Sequence, residues 1–174
     1  MLKTLSIKNF ALLVDEEIEF GDKLNILTGE TGAGKTIIVN ALRTILGDRV
    51  SSSVLRDGAT KAIVEGVFQV EPTSALDTYL RQKNLAAEDN QMILRREIHE
   101  SRSRAFVNDT PVQLSTLQEI GELTVDLHGQ HDHQSLLKVK SHLMFLDEFG
   151  DLESDVNEVA RRYKTLQNFI FKFR

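Results

Sequence analysis

Gly29-Glu30-Thr31-Gly32-Ala33-Gly34-Lys35-Thr36 fills every fixed position of G-x-x-x-x-G-K-[ST]. No other stretch of the chain restricts the fold as much. On average residue usage, a chance match in a chain of 174 residues is roughly a half-per-cent event. The motif works only between a strand and a helix, and both flanks comply. "KLNILTG" reads as a strand running into the loop. From Lys35 the apolar positions 37, 38, 41, 42, 45 and 46 form a helical stripe, and Gly47 is placed to end the helix. Glycines at 29, 32 and 34 let backbone N–H groups turn inward around an anion. The helix start adds its positive end. Lys35 is placed to reach the β- and γ-phosphates of a nucleotide, and the Thr36 hydroxyl to ligate the Mg²⁺ that bridges them.

Elsewhere the chain alternates strand and helix signals. "LKTLSIKNF" and "EEIEF" read as half-buried strands, with a turn at Gly21-Asp22. "KAIVEGVFQV" is a strand, and Pro72 breaks the chain before a short surface helix in "TSALDTYLRQKN". "QMILRREIHE" and "RAFVND" read as two antiparallel strands, followed by a turn at "NDTP". Ser115 and Gln118 have capping-box spacing and predict a helix start there, and "ELTVDLHG" predicts another, buried strand. From about residue 136 the pattern changes. Phe145, Phe149, Leu152, Val156, Val159, Tyr163, Leu166, Ile170 and Phe173 alternate spacings of four and three, a heptad seam. An uninterrupted helix of roughly thirty residues would reach about 45 Å. It reads as the first leg of a coiled coil or as a long amphipathic helix packed on its own domain.

Bulk properties remove several classes. With 27% charged residues and no bilayer-length apolar run, a membrane-spanning chain is not expected. The absence of cysteine excludes disulfides and thiolate metal sites, and no signal-peptide pattern opens the chain, which together suit a reducing cytoplasm. A net charge of -5 means that any nucleic-acid contact must come from local basic clusters. Three clusters stand out: Arg49, Arg56 and Lys61; Arg95, Arg96, Arg102 and Arg104; and Arg161, Arg162 and Lys164.

"SIKNFALL", about twenty residues ahead of "TGETGAGKT", resembles the first strand of the heads of SMC-like ATPases, and the pair looks closest to the RecN family of bacterial DNA-repair proteins. The resemblance continues in "LRDGA", "RSRAFVND" and "DLHGQHDHQSLL". Ala11 follows the Asn-Phe pair where many SMC-like chains carry a basic residue, as is usual for RecN. The resemblance implies an α/β fold: a P-loop NTPase, the amino-terminal lobe of an ABC-type ATPase head over residues 1–140, with an antiparallel β-subdomain. Residues 141–174 would be the root of a coiled-coil arm. It further implies ATP and Mg²⁺ as cofactors, held by residues 29–36, with Gln130 as the Q-loop glutamine that contacts Mg²⁺ or the attacking water. Expected partners are DNA bound through its backbone, the protein's own carboxy-terminal half-head and a second head, in the bacterial cytoplasm at the nucleoid. Arg56, Arg102 and Arg104 are the residues expected on DNA. The alternative is the P-loop module of another SMC-like or helicase-type ATPase, although no D-E-A-H motif follows the loop.

Two features admit a second reading. His128, His131 and His133 with Asp126 or Asp132 could hold zinc instead of flanking a Q-loop. "LMFLDE" (143–148) imitates a Walker B strand with Asp147 and Glu148, but the heptad seam running through Phe145 and Phe149 predicts helix there.

Overall fold

A computed structural model describes residues 1–29, 34–127, 142–143, 146–147 and 149–172. They fall into two units, Met1–Val125 and Asp126–Arg174. The first is a six-stranded antiparallel sheet in the order β2-β1-β3-β4-β5-β6. Its strands are β1 (Leu2–Phe10), β2 (Leu13–Glu19), β3 (Lys61–Gln69), β4 (Gln91–His99), β5 (Ser103–Val107) and β6 (Thr110–Val112). The helices are α1 (Gly34–Ile45), α2 (Ala75–Gln82) and α3 (Leu114–Thr124).

The period-two pattern of each strand decides which face is covered. Leu5 and Ile7, Val64 and Phe68, and Met92, Leu94 and Ile98 are buried, as are Ala41 and Ile45 of α1 and Leu117 and Ile120 of α3. Each fully buried large aliphatic side chain contributes roughly 1.5–3 kcal/mol. The opposite face is polar and laced with ion pairs, Lys8–Asp15 at 3.3 Å and Lys61–Glu97 at 3.6 Å among them. Turn chemistry sets the register. Asp89-Asn90 and Asn108-Asp109 take positive φ at both positions, the signature of two-residue hairpin turns that match strand twist. Asn108 also accepts the Ile93 N–H at 2.8 Å and donates to the carbonyls of Leu85 and Ala86.

Helix α1 ends as its glycine predicts. Gly47 (φ 101) follows the last turn, its N–H donating to the Thr44 carbonyl at 3.4 Å while Asp48 N–H donates to Arg43 at 3.1 Å. This is a Schellman closure. Here α3 crosses α1 so closely that a Cβ on Gly47 would lie 2.7 Å from the Gln118 nitrogen, and one on Gly121 would lie 2.3 Å from the Leu46 carbonyl oxygen.

Several expectations are corrected. "KLNILTG" forms no strand: Leu24 and Ile26 are 85% and 74% exposed. A strand exists only by pairing, and among the described residues nothing pairs with this segment. The stretch "ELTVDLHG" begins as the last turn of α3, and 125–127 are irregular. The helix at Ser115 starts one residue earlier, with Gln113 as N-cap and no side-chain cap bond. In the second unit the heptad seam does not lie on one continuous helix. Asp151 takes φ 51, the Leu152 N–H donates to the Asp147 carbonyl at 2.9 Å, and a new helix α4 runs over Glu153–Lys172. Its twenty residues span about 30 Å. Val156, Tyr163 and Ile170 are about half exposed along it. Leu143, Leu146 and Asp147 of the Walker B imitation are helical.

Candidate nucleotide site and basic surface

Helix α1 starts at Gly34, so Lys35 and Thr36 lie in its first turn, which carries no acidic residue. Its N–H groups and positive dipole end therefore meet no competing carboxylate from that turn. The Lys35 ammonium folds back and donates to the Gly29 carbonyl, joining the two ends of the glycine motif. Thr36 is exposed. A phosphate between Gly29 and Gly34 would offer that ammonium a charged acceptor in place of a neutral carbonyl, the stronger of the two bonds. Glu30, Thr31, Gly32 and Ala33 lie outside the described residues, as do Gln130 and all three histidines of the 128–133 cluster.

The far end of α1 is held by β4. Arg96 is 4% exposed, and it donates from Nε to Ser103 Oγ at 2.6 Å and from Nη1 to the Thr44 carbonyl at 3.4 Å. A cation at a helix C-terminus is favourably placed against the dipole. Burial pushes the Arg96 guanidinium below its ordinary pKa.

The structure sorts the basic clusters. Arg96 is in the core. Arg95 is spent on Asp109 at 2.8 Å and Glu65 at 3.7 Å, and it covers the Phe106 ring at 4.7 Å. Lys61 is paired with Glu97. Arg162 of α4 donates from Nε to Glu158 at 2.9 Å. Arg102 and Arg104 are exposed on the β4–β5 hairpin, with no ion pair among the described residues. Arg56 is placed by stitching: its N–H donates to the Asn9 carbonyl at 3.1 Å, and the Ala11 N–H to Val54 at 2.6 Å. This sets Arg56 beside Lys8, Asn9 and Thr60 on a cavity of about 530 Å³. Its Nη1 is buried there without a hydrogen-bond acceptor among the described residues. Sequence reasoning missed the inward Arg96, although its parity with Met92, Leu94 and Ile98 is readable.

Residues 4–172 match the AAA domain family. The chain is 41% identical over 177 residues to the DNA repair protein RecN of Bacillus subtilis, covering 100% of this chain and 31% of that protein. It thus spans about a third of that relative's length. A solved structure described as the structural biochemistry of ATP-driven dimerization and DNA-stimulated activation of SMC ATPases superposes with TM-score 0.58 at 20% identity, over 89% of this chain and 98% of that one. The Smc head domain of Pyrococcus furiosus, with an extended coiled coil and bound to the C-terminal domain of ScpA, gives TM-score 0.62 at 16% identity, over 98% and 48%. These likenesses carry the SMC-head fold, and the family match carries the P-loop assignment. The chain belongs to the AAA domain family of P-loop ATPases and is similar, along its whole length, to RecN DNA-repair proteins.

Proposed function

We propose that this chain is the nucleotide-binding half of an SMC-like ATPase head acting in DNA double-strand-break repair. The observation that supports it most is the closure of the glycine motif, with Lys35 bonded back to Gly29 at the start of an α1 whose first turn has no carboxylate. Residues Gly29 to Thr36 hold the ATP phosphates, Thr36 and Gln130 hold Mg²⁺, and Gln130 senses the γ-phosphate. The signature motif and Walker B acids come from the protein's own carboxy-terminal half-head and from a second head. Exposed Leu24 and Ile26 favour this reading, since an apolar segment entering the loop gains its burial and pairing when further strands complete the sheet. ATP engages two heads, and hydrolysis parts them. α4, with its half-exposed heptad seam, is the root of a coiled-coil arm. DNA is held by its backbone through Arg56, Arg102 and Arg104.

Titration calorimetry with Mg-ATP tests the core of this. The chain binds, Lys35→Ala does not, and neither turns over ATP appreciably, because the Walker B glutamate is supplied from elsewhere. Equal heats from the two proteins refute the nucleotide site. Robust turnover by the chain alone, lost in Lys35→Ala, refutes the division of labour.

A further inference from the structure

Helix α1 is gripped at one end and exposed at the other. Its fully buried residues, Ala41, Thr44 and Ile45, all lie in its second half. Thr36, in the first turn, is exposed. The grip includes Arg96 of β4, which donates from Nη1 to the Thr44 carbonyl. From Thr44 back to Lys35 is about 14 Å along the helix axis. A tilt of about 4° at the gripped end therefore carries the loop end through about 1 Å.

Arg96 holds the helix less tightly than it holds the β4–β5 hairpin. Its bond to Ser103 Oγ is 2.6 Å and its bond to the Thr44 carbonyl is 3.4 Å, and only the first has the length of a strong hydrogen bond. The guanidinium therefore follows Ser103. Register explains their meeting: Arg96 pairs with Ala105, and Ser103 lies two residues from Ala105 on the same face. Arg104 pairs with Glu97 and falls on the opposite face. Arg102 and Arg104, both exposed, thus flank in sequence a hydroxyl on the α1 side of the sheet. The His99 N–H donates to the Arg102 carbonyl at 2.8 Å, which closes the hairpin up to Arg102. A cavity of about 430 Å³, bordered by Arg96, Ser103, Ala105, Val112 and Leu114, gives the guanidinium room to shift without displacing packed neighbours. The contact has two settings: Arg96 bonded to α1, or drawn off it with Ser103.

We propose that Arg96 and Ser103 are positioning residues for the nucleotide loop, linking α1 to the β4–β5 hairpin so that a phosphate backbone held by Arg102 and Arg104 alters the seat of Lys35 and Thr36. This link rests on the ATP and DNA contacts proposed above and adds the route between them. Arg96 and Ser103 act through the backbone of α1, not on the nucleotide itself. A ligand on the hairpin favours one setting of Ser103, the Arg96–Thr44 bond tightens or breaks, and α1 tilts about its buried half. Linkage makes the effect reciprocal: nucleotide changes DNA affinity by the same factor as DNA changes nucleotide affinity.

The test uses the full-length protein, Mg-AMPPNP, which is not hydrolysed, and a short blunt duplex. Calorimetry gives the AMPPNP Kd without and with saturating duplex, and their ratio is the coupling factor. Ser103 is exposed, so Ser103→Ala removes the hydroxyl and leaves the core packed. Ser103→Thr restores a hydroxyl on a side chain that suits a strand. The expected factor is about five or more in the parent, about one in Ser103→Ala, and that of the parent again in Ser103→Thr. Loss of a direct contact with either ligand lowers one affinity and leaves the ratio unchanged. A ratio in Ser103→Ala equal to the parent's, or no recovery in Ser103→Thr, overturns the link. So does a parent ratio of one with both ligands bound, and that result leaves the ATP reading intact. If AMPPNP does not bind, binds equally to Lys35→Ala, or the duplex does not bind, the underlying reading fails and the link falls with it.

Discussion

Gly47→Ala is the most exacting test of the packing between the loop's helix and the helix that leads toward Gln130. Two costs add at this position. Alanine must hold φ 101, a strain of roughly 1–2 kcal/mol. Its Cβ would also stand 2.7 Å from the Gln118 nitrogen and 2.8 Å from the Gln118 Cα. Restoring ordinary contact moves α3 by roughly 0.7 Å or more, an overpacking cost of about 1–3 kcal/mol. The total, about 2–5 kcal/mol, is a large share of a stability of roughly 5–15 kcal/mol. Two other glycines separate the costs. Gly58 has φ 80 and nothing within 4 Å of a new Cβ, so Gly58→Ala pays the strain alone. Gly121 is helical, so Gly121→Ala gains about 1 kcal/mol of propensity but meets the Leu46 carbonyl oxygen at 2.3 Å. Thermal melts by circular dichroism should show Gly47→Ala lower by roughly 4–20 °C and Gly58→Ala by half that or less. If Gly47→Ala melts no lower than Gly58→Ala, the close crossing of α1 and α3 is not a feature of the folded chain.

Other outcomes are expected. Ala11 sits at φ 50, so Ala11→Gly relieves strain and should stabilise by roughly 0.5–1 kcal/mol in denaturant titration. Partial burial and the hydrogen bond to Glu119 push the Tyr79 hydroxyl up to about 12. Its folded pKa lies above the unfolded value near 10, so its contribution is complete below about pH 10 and is lost as pH rises toward 12. Ultraviolet titration should show one of the two tyrosines ionising late, and Tyr79→Phe should remove that step. Arg56→Ala and Arg102→Ala should each weaken DNA binding in the full-length protein and lower its salt slope by about 0.9 per phosphate lost, whereas Arg95→Ala, already committed to Asp109 and Glu65, should leave the slope unchanged. An unchanged slope in the first two, or a lowered one in the third, reverses this sorting of the arginines.

Local chemistry made much of this protein legible in its sequence. The apolar stripe after Lys35, the stop at Gly47 and the alternation of β1, β3 and β4 each depend on residues within a turn or two of one another, and the structure keeps these three. What needed the tertiary structure was everything that depends on a neighbour distant in sequence. "KLNILTG" has the composition of a strand but no partner among the described residues, and hydrogen-bond pairing, not composition, makes a strand. The four-three spacing around Phe149 and Leu152 is compatible with one helix, yet Asp151 in a left-handed conformation divides it. The four arginines of the β4–β5 hairpin are equivalent as letters. Only the folded sheet sends Arg96 inward, commits Arg95 to carboxylates and leaves Arg102 and Arg104 exposed, because a side chain's charge is set by its type and its availability by the groups packed around it.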